Sequence, residues 1–218
     1  MVELVTIPVS FLEITIDYEK PDLCLLGERA PLLQGIFEAL LPWNANVDDI
    51  ELVTGGRISE QGVIFKLPQK HISFFMGVNF CRFSRNAVNW DMVEETVTIL
   101  DAAVSALAKL SGVVMGTKRS AIGIHLQPRV LPFIEVLRPF VPARLMGLEA
   151  EPIMTMATVA KWSGRRVTID GSASVANGVF VKLERDFVSS TPYDVMARQL
   201  WKDEQDMFVI MGVKEDRP

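Results

Sequence analysis

Histidine and cysteine are scarce in this chain, two of each in 218 residues, and their placement excludes most of the chemistry they usually carry. His71 and His125 lie far apart, and no His-x-x-x-His, Cys-x-x-Cys or Glu-x-x-His pair occurs, so no single element offers metal-ligand spacing. No metal and no cofactor are expected. Cys24 and Cys81 each sit in an apolar segment with no second thiol nearby in sequence. They read as buried, reduced thiols of a cytoplasmic protein rather than a disulfide framework. Gly-x-Ser-x-Gly is absent, and Gly55-Gly56-Arg57 lacks the Lys-Ser/Thr ending of a phosphate-binding loop. No catalytic residue is expected.

Positive charge is also in short supply. The formal net charge is −5, and the only local basic groups are Lys118 with Arg119 and Arg165 with Arg166. Phosphate recognition relies on concentrated Lys and Arg, so nucleic acid is not an expected partner. No apolar run approaches the ~18 residues of a membrane helix, and no membrane partner is expected. At the N-terminus, Leu12, Ile14, Ile16 and Tyr18 alternate with Glu13, Thr15 and Asp17, which reads as a strand, not a leader peptide. Yet 49% of the residues are apolar. That is rich for a soluble chain, and a surplus of this kind is commonly covered by another subunit. A homo-oligomer or a protein partner is expected.

The clearest pattern lies between residues 71 and 112. Ile72, Phe74, Met76, Val78 and Phe80 alternate with smaller or polar residues, predicting one long strand over 71–83. From Asn89 the period changes: Val93, Val97, Leu100, Val104 and Leu107 form one stripe, and Ile99, Ala103, Ala106 and Leu110 a second. The wide apolar face predicts a long helix over 90–110 lying on a sheet. Asn89 suits its start, Asp91, Glu94 and Glu95 its positive end, and Lys109 with Gly112 its close. Glu94 and Glu95 are thereby explained as dipole partners, not as an acid and base pair.

Elsewhere, Pro31 predicts the start of a short helix ending before Pro42. Strands follow at Ile50 to Val53 and from Val63 to Leu67. Beyond the long helix come a strand at Ala121 to Leu126, a short helix at Pro132 to Phe140, and strands at 152–162, 165–170 and 178–187. Asn177-Gly178 is the strongest hairpin signal. A last helix from Thr191 to Trp201 and a closing strand from Met207 to Val213 complete the order.

The halves read alike. Ser10 to Asp17 precedes a helix starting at Pro31 and strands including Gly-Val-Ile-Phe-Lys-Leu at 62–67; Ser120 to Gln127 precedes a helix starting at Pro132 and strands including Gly-Val-Phe-Val-Lys-Leu at 178–183. A duplicated strand-helix-strand-strand unit is therefore expected, with residues 1–112 and 113–218 as two α+β halves packed as one compact unit. That element order resembles the repeated units of bacterial effector-binding domains of the GyrI-like kind, a resemblance that implies a ligand cleft. Short connections favour antiparallel neighbours.

The expected fold is α+β, a mainly antiparallel sheet with helices packed on one face. The expected function is a non-enzymatic binding or assembly protein acting through a protein–protein interface. The alternatives are a small-molecule effector-binding protein with a cleft between two similar halves, and an enzyme of unrecognised type. For a ligand, the candidate residues are Trp162, Arg165 and Arg166 around the Ser163-Gly164 turn, where an aromatic ring and two guanidinium groups coincide, together with His125.

Overall fold

The computed structural model describes residues 2–27, 29–140, 158–162 and 164–216, with backbone alone at 25, 26, 158–160 and 162. The fold is α+β. In chain order, the strand β1 (Glu3–Tyr18), the helix α1 (Ala30–Leu40), the strands β2 (Ile50–Val53), β3 (Gly62–Leu67), β4 (Ile72–Gly77) and β5 (Phe80–Asn86) and the helix α2 (Val93–Ser111) are followed by β6 (Met115–Pro128), α3 (Phe133–Leu137), β7 (Thr158–Trp162), β8 (Arg165–Gly171), β9 (Val179–Phe187), α4 (Tyr193–Met211) and β10 (Val213–Glu215). Residues 152–157 of the expected strand 152–162, and Ser163 of the turn, lie outside the described residues.

Contacts divide the chain into two units, neither contiguous in sequence. The first unit comprises Leu12–Ser120 and Asp186–Arg198; the second comprises Met1–Phe11, Ala121–Arg185 and Gln199–Pro218. Strand order in the first unit is β2-β3-β4-β5-β1-β6, and in the second β1-β6-β9-β8-β7, with β10 paired to β1. The pairs β2–β3, β3–β4, β4–β5, β7–β8 and β8–β9 are antiparallel, whereas β1–β10 is parallel.

In the first unit the alternating apolar residues of the sheet point to one side. Leu12, Ile14 and Ile16 of β1, Val63, Phe65 and Leu67 of β3, and Ile72, Phe74 and Met76 of β4 are all buried. The helix α2 buries Ile99, Leu100, Ala103, Val104 and Leu107, centred between the two stripes expected from sequence, while Leu110 stays largely exposed. Asn89 accepts from the Asp91 amide at 2.9 Å and caps a 3-10 turn at Trp90–Met92 that leads into the helix. At the other end Gly112, with φ +71°, takes the left-handed cap and donates to the Ala108 carbonyl at 3.0 Å.

The long strand expected over 71–83 is two strands. Met76 pairs with Cys81, so Val78 and Asn79 form a two-residue hairpin loop. Its carbonyls are held from outside: Val78 O accepts from Asp22 N at 2.7 Å and Asn79 O from Tyr18 N at 2.9 Å. The turn shifts the buried phase from even to odd positions, so Cys81, Phe83 and Arg85 face inward and Phe80 does not. An alternation that runs through a tight turn cannot by itself reveal the turn.

A second departure concerns Met207 to Val213, expected as a strand. The helix α4 continues to Met211 because Met207, Phe208 and Met211 extend, at helical spacing, the buried side begun by Met196 and Leu200. The thiols also differ from expectation: Cys81 is buried, but Cys24 is exposed on a 3-10 turn at Leu23–Leu26 that Asp22 caps.

On the side of the first unit's sheet away from α2, Phe75 lies over two facing glycines, Gly62 and Gly77. A Cβ at Gly62 would come within 2.6 Å of the Met76 carbonyl oxygen and strike the Phe75 ring, whereas one at Gly56 would meet nothing within 4 Å. Gly62→Ala is therefore expected to cost about 1–3 kcal/mol and Gly56→Ala close to nothing, read from their melting temperatures.

Candidate functional site

The second unit carries the expected ligand residues, and β8 separates two of them at once. Successive residues of a strand point to opposite faces. Arg165 enters the buried side, where α4 places Asp203 beneath it. Arg165 Nη1 is 3.0 Å from Asp203 Oδ1 and Nη2 is 3.3 Å from Asp206 Oδ2. Arg185 of β9 adds 2.8 and 3.1 Å bonds to the same Asp203 carboxylate, and Gln199 donates to it at 2.7 Å. Asp203 is 0% exposed and Arg165 5%, so this is an internal ion cluster joining β8 and β9 to α4.

Arg166 points the other way, toward solvent, and donates to Glu184 at 2.6 Å across the β8–β9 ladder. Lys182 reaches the same carboxylate at 2.9 Å. Burial alone would raise Glu184, but the hydrogen bonds from Arg166 and Lys182 outweigh it and hold the carboxyl below its ordinary value. Trp162 ends β7, and its side chain lies outside the described structure.

His125 shares the outer face with Arg166 but not its surroundings. Its ring lies 4.7 Å from Phe180, which stacks at 6.5 Å on Phe11. Phe11 rests over Gly123, where a Cβ would occupy the ring's place. Phe180 stands four residues from Glu184 on β9, roughly 13 Å at ~3.3 Å per residue. The structure thus gathers His125 with Phe11 and Phe180, places Arg166 in a separate ion pair, and puts Arg165 on the opposite face.

His125 Nδ1 lies 2.7 Å from Ser172 Oγ. That oxygen already accepts from the Ser174 and Val175 amides at 3.2 and 2.9 Å, so its own proton is the one left to give. Nδ1 then accepts, and the neutral ring carries its proton on Nε2. Desolvation holds His125 below its ordinary value. The unfolded chain takes up the proton near pH ~6.5, and the folded chain only at lower pH. The His125 contribution to stability is therefore full above ~6.5 and is lost as pH falls from there through the folded value. Melting temperature should decline over that window in the native protein, and less steeply in His125→Gln.

The thiols do not form a nucleophile. Burial pushes Cys81 up to about 12, and the neighbouring Asp22 raises Cys24, so both stay protonated at neutral pH. Cys24 and Asp22 line a 530 Å³ depression with Ser111 to Val114 at the end of α2. Among the described residues no three His, Cys, Asp or Glu side chains gather closely enough to hold a metal ion, and no helix is long and apolar enough to cross a membrane.

In the first unit the outward face of the sheet is aromatic and charge-balanced. Phe75 and Phe80 lie 5.3 Å apart, and Arg82 sits 5.2 Å from the Phe80 centroid and 3.6 Å from Glu13. Lys66 pairs with Glu51, and Arg119 with Asp17 at 2.7 Å. Each of these cations has a carboxylate beside it, which leaves little positive potential for a polyanion.

A further groove lies in the second unit, between the last helix and the N-terminal end of β1. Trp201, Gln205, Phe208 and Val209 of α4 form one wall of a groove of about 560 Å³, and Leu4 with Val213 to Asp216 the other. Val209 is 80% exposed and Trp201 49%. Sequence reasoning missed this site because it assigned Met207 to Val213 to a strand. The signal was present: with Met196, Leu200 and Met207 taken as one helical side, Trp201, Gln205 and Val209 fall on the outer one.

No family model matches the chain, and no curated protein matches it. Among solved structures, the rolling circle replication initiator protein from Geobacillus stearothermophilus is 12% identical, with 91% of this chain and 80% of that one covered at a TM-score of 0.32. The regulatory subunit of aspartate kinase from Thermus flavus is 13% identical, with 92% and 97% covered at 0.24. Ara h 8.0201 is 10% identical, with 94% and 95% covered at 0.17. Scores this low carry nothing about fold or function.

Proposed function

We propose that the chain is a non-enzymatic, cytoplasmic binding or assembly protein that works through a protein–protein interface and forms a homo-oligomer. The observation that carries this reading is the groove along α4, with Trp201 and Val209 turned to solvent. Large exposed apolar residues gathered on one patch mark interaction sites, whereas scattered ones do not. Its composition agrees, being rich in apolar residues. The balanced charges of the outer sheet face favour a protein over a polyanion. Sedimentation equilibrium of the purified chain should show an oligomer in the micromolar range. A strict monomer that also purifies with no partner would overturn the reading.

A duplicated unit over 1–112 and 113–218 belongs to the same proposal. It is supported by the repeated order strand, short helix, antiparallel strands, long helix, with α2 and α4 each 19 residues long.

One observation favours a second reading, a small-molecule site. His125, Phe180 and Phe11 set three rings together on the outer face of the second unit. A flat ring-bearing ligand would stack there, with His125 Nε2–H as the donor. Such a ligand should raise the melting temperature of the native protein and not of His125→Ala; a broad metabolite panel without any shift would remove this reading.

A further inference from the structure

The groove along α4 has an arrangement that selects its occupant. Trp201 and Val209 stand four residues before and four after Gln205, so the outer stripe of the helix reads the same outward from Gln205 in both directions: an amide at the centre and one large apolar group on each side. At 100° and 1.5 Å per residue, the three side chains lie within ~80° of one another around the helix, and the apolar pair is ~12 Å apart along it. Lys202 and Asp206 flank this stripe on the same side.

Resting on the oligomer reading above, we propose that the occupant is a second copy of this chain, with the two α4 helices antiparallel and a two-fold axis passing at Gln205. An isologous contact requires a patch that complements itself, each residue meeting the image of another. Here the two-fold sets Trp201 of each copy level with Val209 of the other and brings the two Gln205 amides together. It also sets Lys202 of each copy within ~3 Å, along the axis, of the level of Asp206 in the other. Flanks of antiparallel helices meet their own images, so opposite charges face each other twice. Asp206 is 40% exposed and available from outside, its bond to Arg165 being 3.3 Å long. Val209, the most exposed of the large apolar side chains that line the groove, is then covered by the partner's Trp201. The occupant's chemistry is thus an amphipathic helix with a cation and an anion one turn apart, and the chain carries that helix itself.

The test uses the full chain with Cys24→Ser, which removes the exposed thiol. In sedimentation equilibrium the parent should be a dimer, and Val209→Asp, altering a residue 80% exposed, should keep the parent's circular dichroism spectrum and a cooperative melt with dimerisation weakened at least ~10-fold. Gln205→Cys, on the axis, should form a disulfide-linked dimer under mild oxidation. Val209→Cys, ~12 Å from its own image, should not. A dimer that survives Val209→Asp and leaves Gln205→Cys unlinked overturns this inference while the oligomer reading stands. A monomer at every concentration overturns the inference, and co-purification of a foreign protein then decides the broader reading separately.

Discussion

Asp203→Ala is expected to destabilise the protein by about 3–5 kcal/mol, the usual consequence of removing one partner from a buried ion cluster. The carboxylate is 0% exposed and serves Arg165, Arg185 and Gln199 together. Without it, two guanidinium groups remain where water reaches them poorly, Arg165 5% and Arg185 18% exposed by side chain. The loss comes from the charges left behind more than from the bonds removed. Asp203→Asn, which keeps the shape and discards the charge, should therefore lose most of the same stability. A double variant, Asp203→Leu with Arg165→Met, removes charge from both sides and should recover a large part of it. In a chain of this size the alanine variant should melt roughly 6–20 °C lower. Salt should hardly change the difference, in contrast to the exposed Arg166–Glu184 pair. Urea unfolding that returned less than ~1 kcal/mol would show the cluster to be dispensable.

That cluster also shows where sequence reasoning stops. A strand period of two already implies that Arg165 and Arg166 point to opposite faces, but not which is inside. The choice is made by Asp203, 38 residues further on, on the buried side of α4. His125 meets Phe180 and Phe11 from three separate strands, and no local pattern connects them. By contrast, the span of α2, its cap at Asn89 and its left-handed end at Gly112 were legible because each depends on residues within a few positions. The hairpin joining β8 and β9 was legible only in part: Asn177 takes φ +54°, but the loop runs from Ser172 to Gly178 and closes through Ser172 N to Gly178 O at 2.8 Å instead of at a two-residue Asn-Gly turn. The misreadings at Val78-Asn79 and at Met207 to Val213 share a cause. In both places the apolar residues fit two periods, and packing against distant residues decided between them.

Leu100→Asp should abolish the folded state of the first unit. Leu100 is 1% exposed, on the inner side of α2 between Ile99, Ala103, Val104 and Leu107. Truncating such a leucine alone typically costs about 2–5 kcal/mol through lost transfer free energy and the cavity left behind. An aspartate adds a carboxylate that must either stay ionised away from water or take up a proton, at several further kcal/mol. The sum is comparable to the 5–15 kcal/mol that usually separates folded from unfolded protein. The variant should accumulate in the insoluble fraction, and any soluble part should lack a cooperative transition by circular dichroism. Leu100→Met, similar in volume and apolar, should fold and lose less than ~1.5 kcal/mol, which ties the effect to the charge rather than to the position. A soluble Leu100→Asp protein melting cooperatively within a few degrees of the parent would mean that the inner side of α2 is not what holds this unit together.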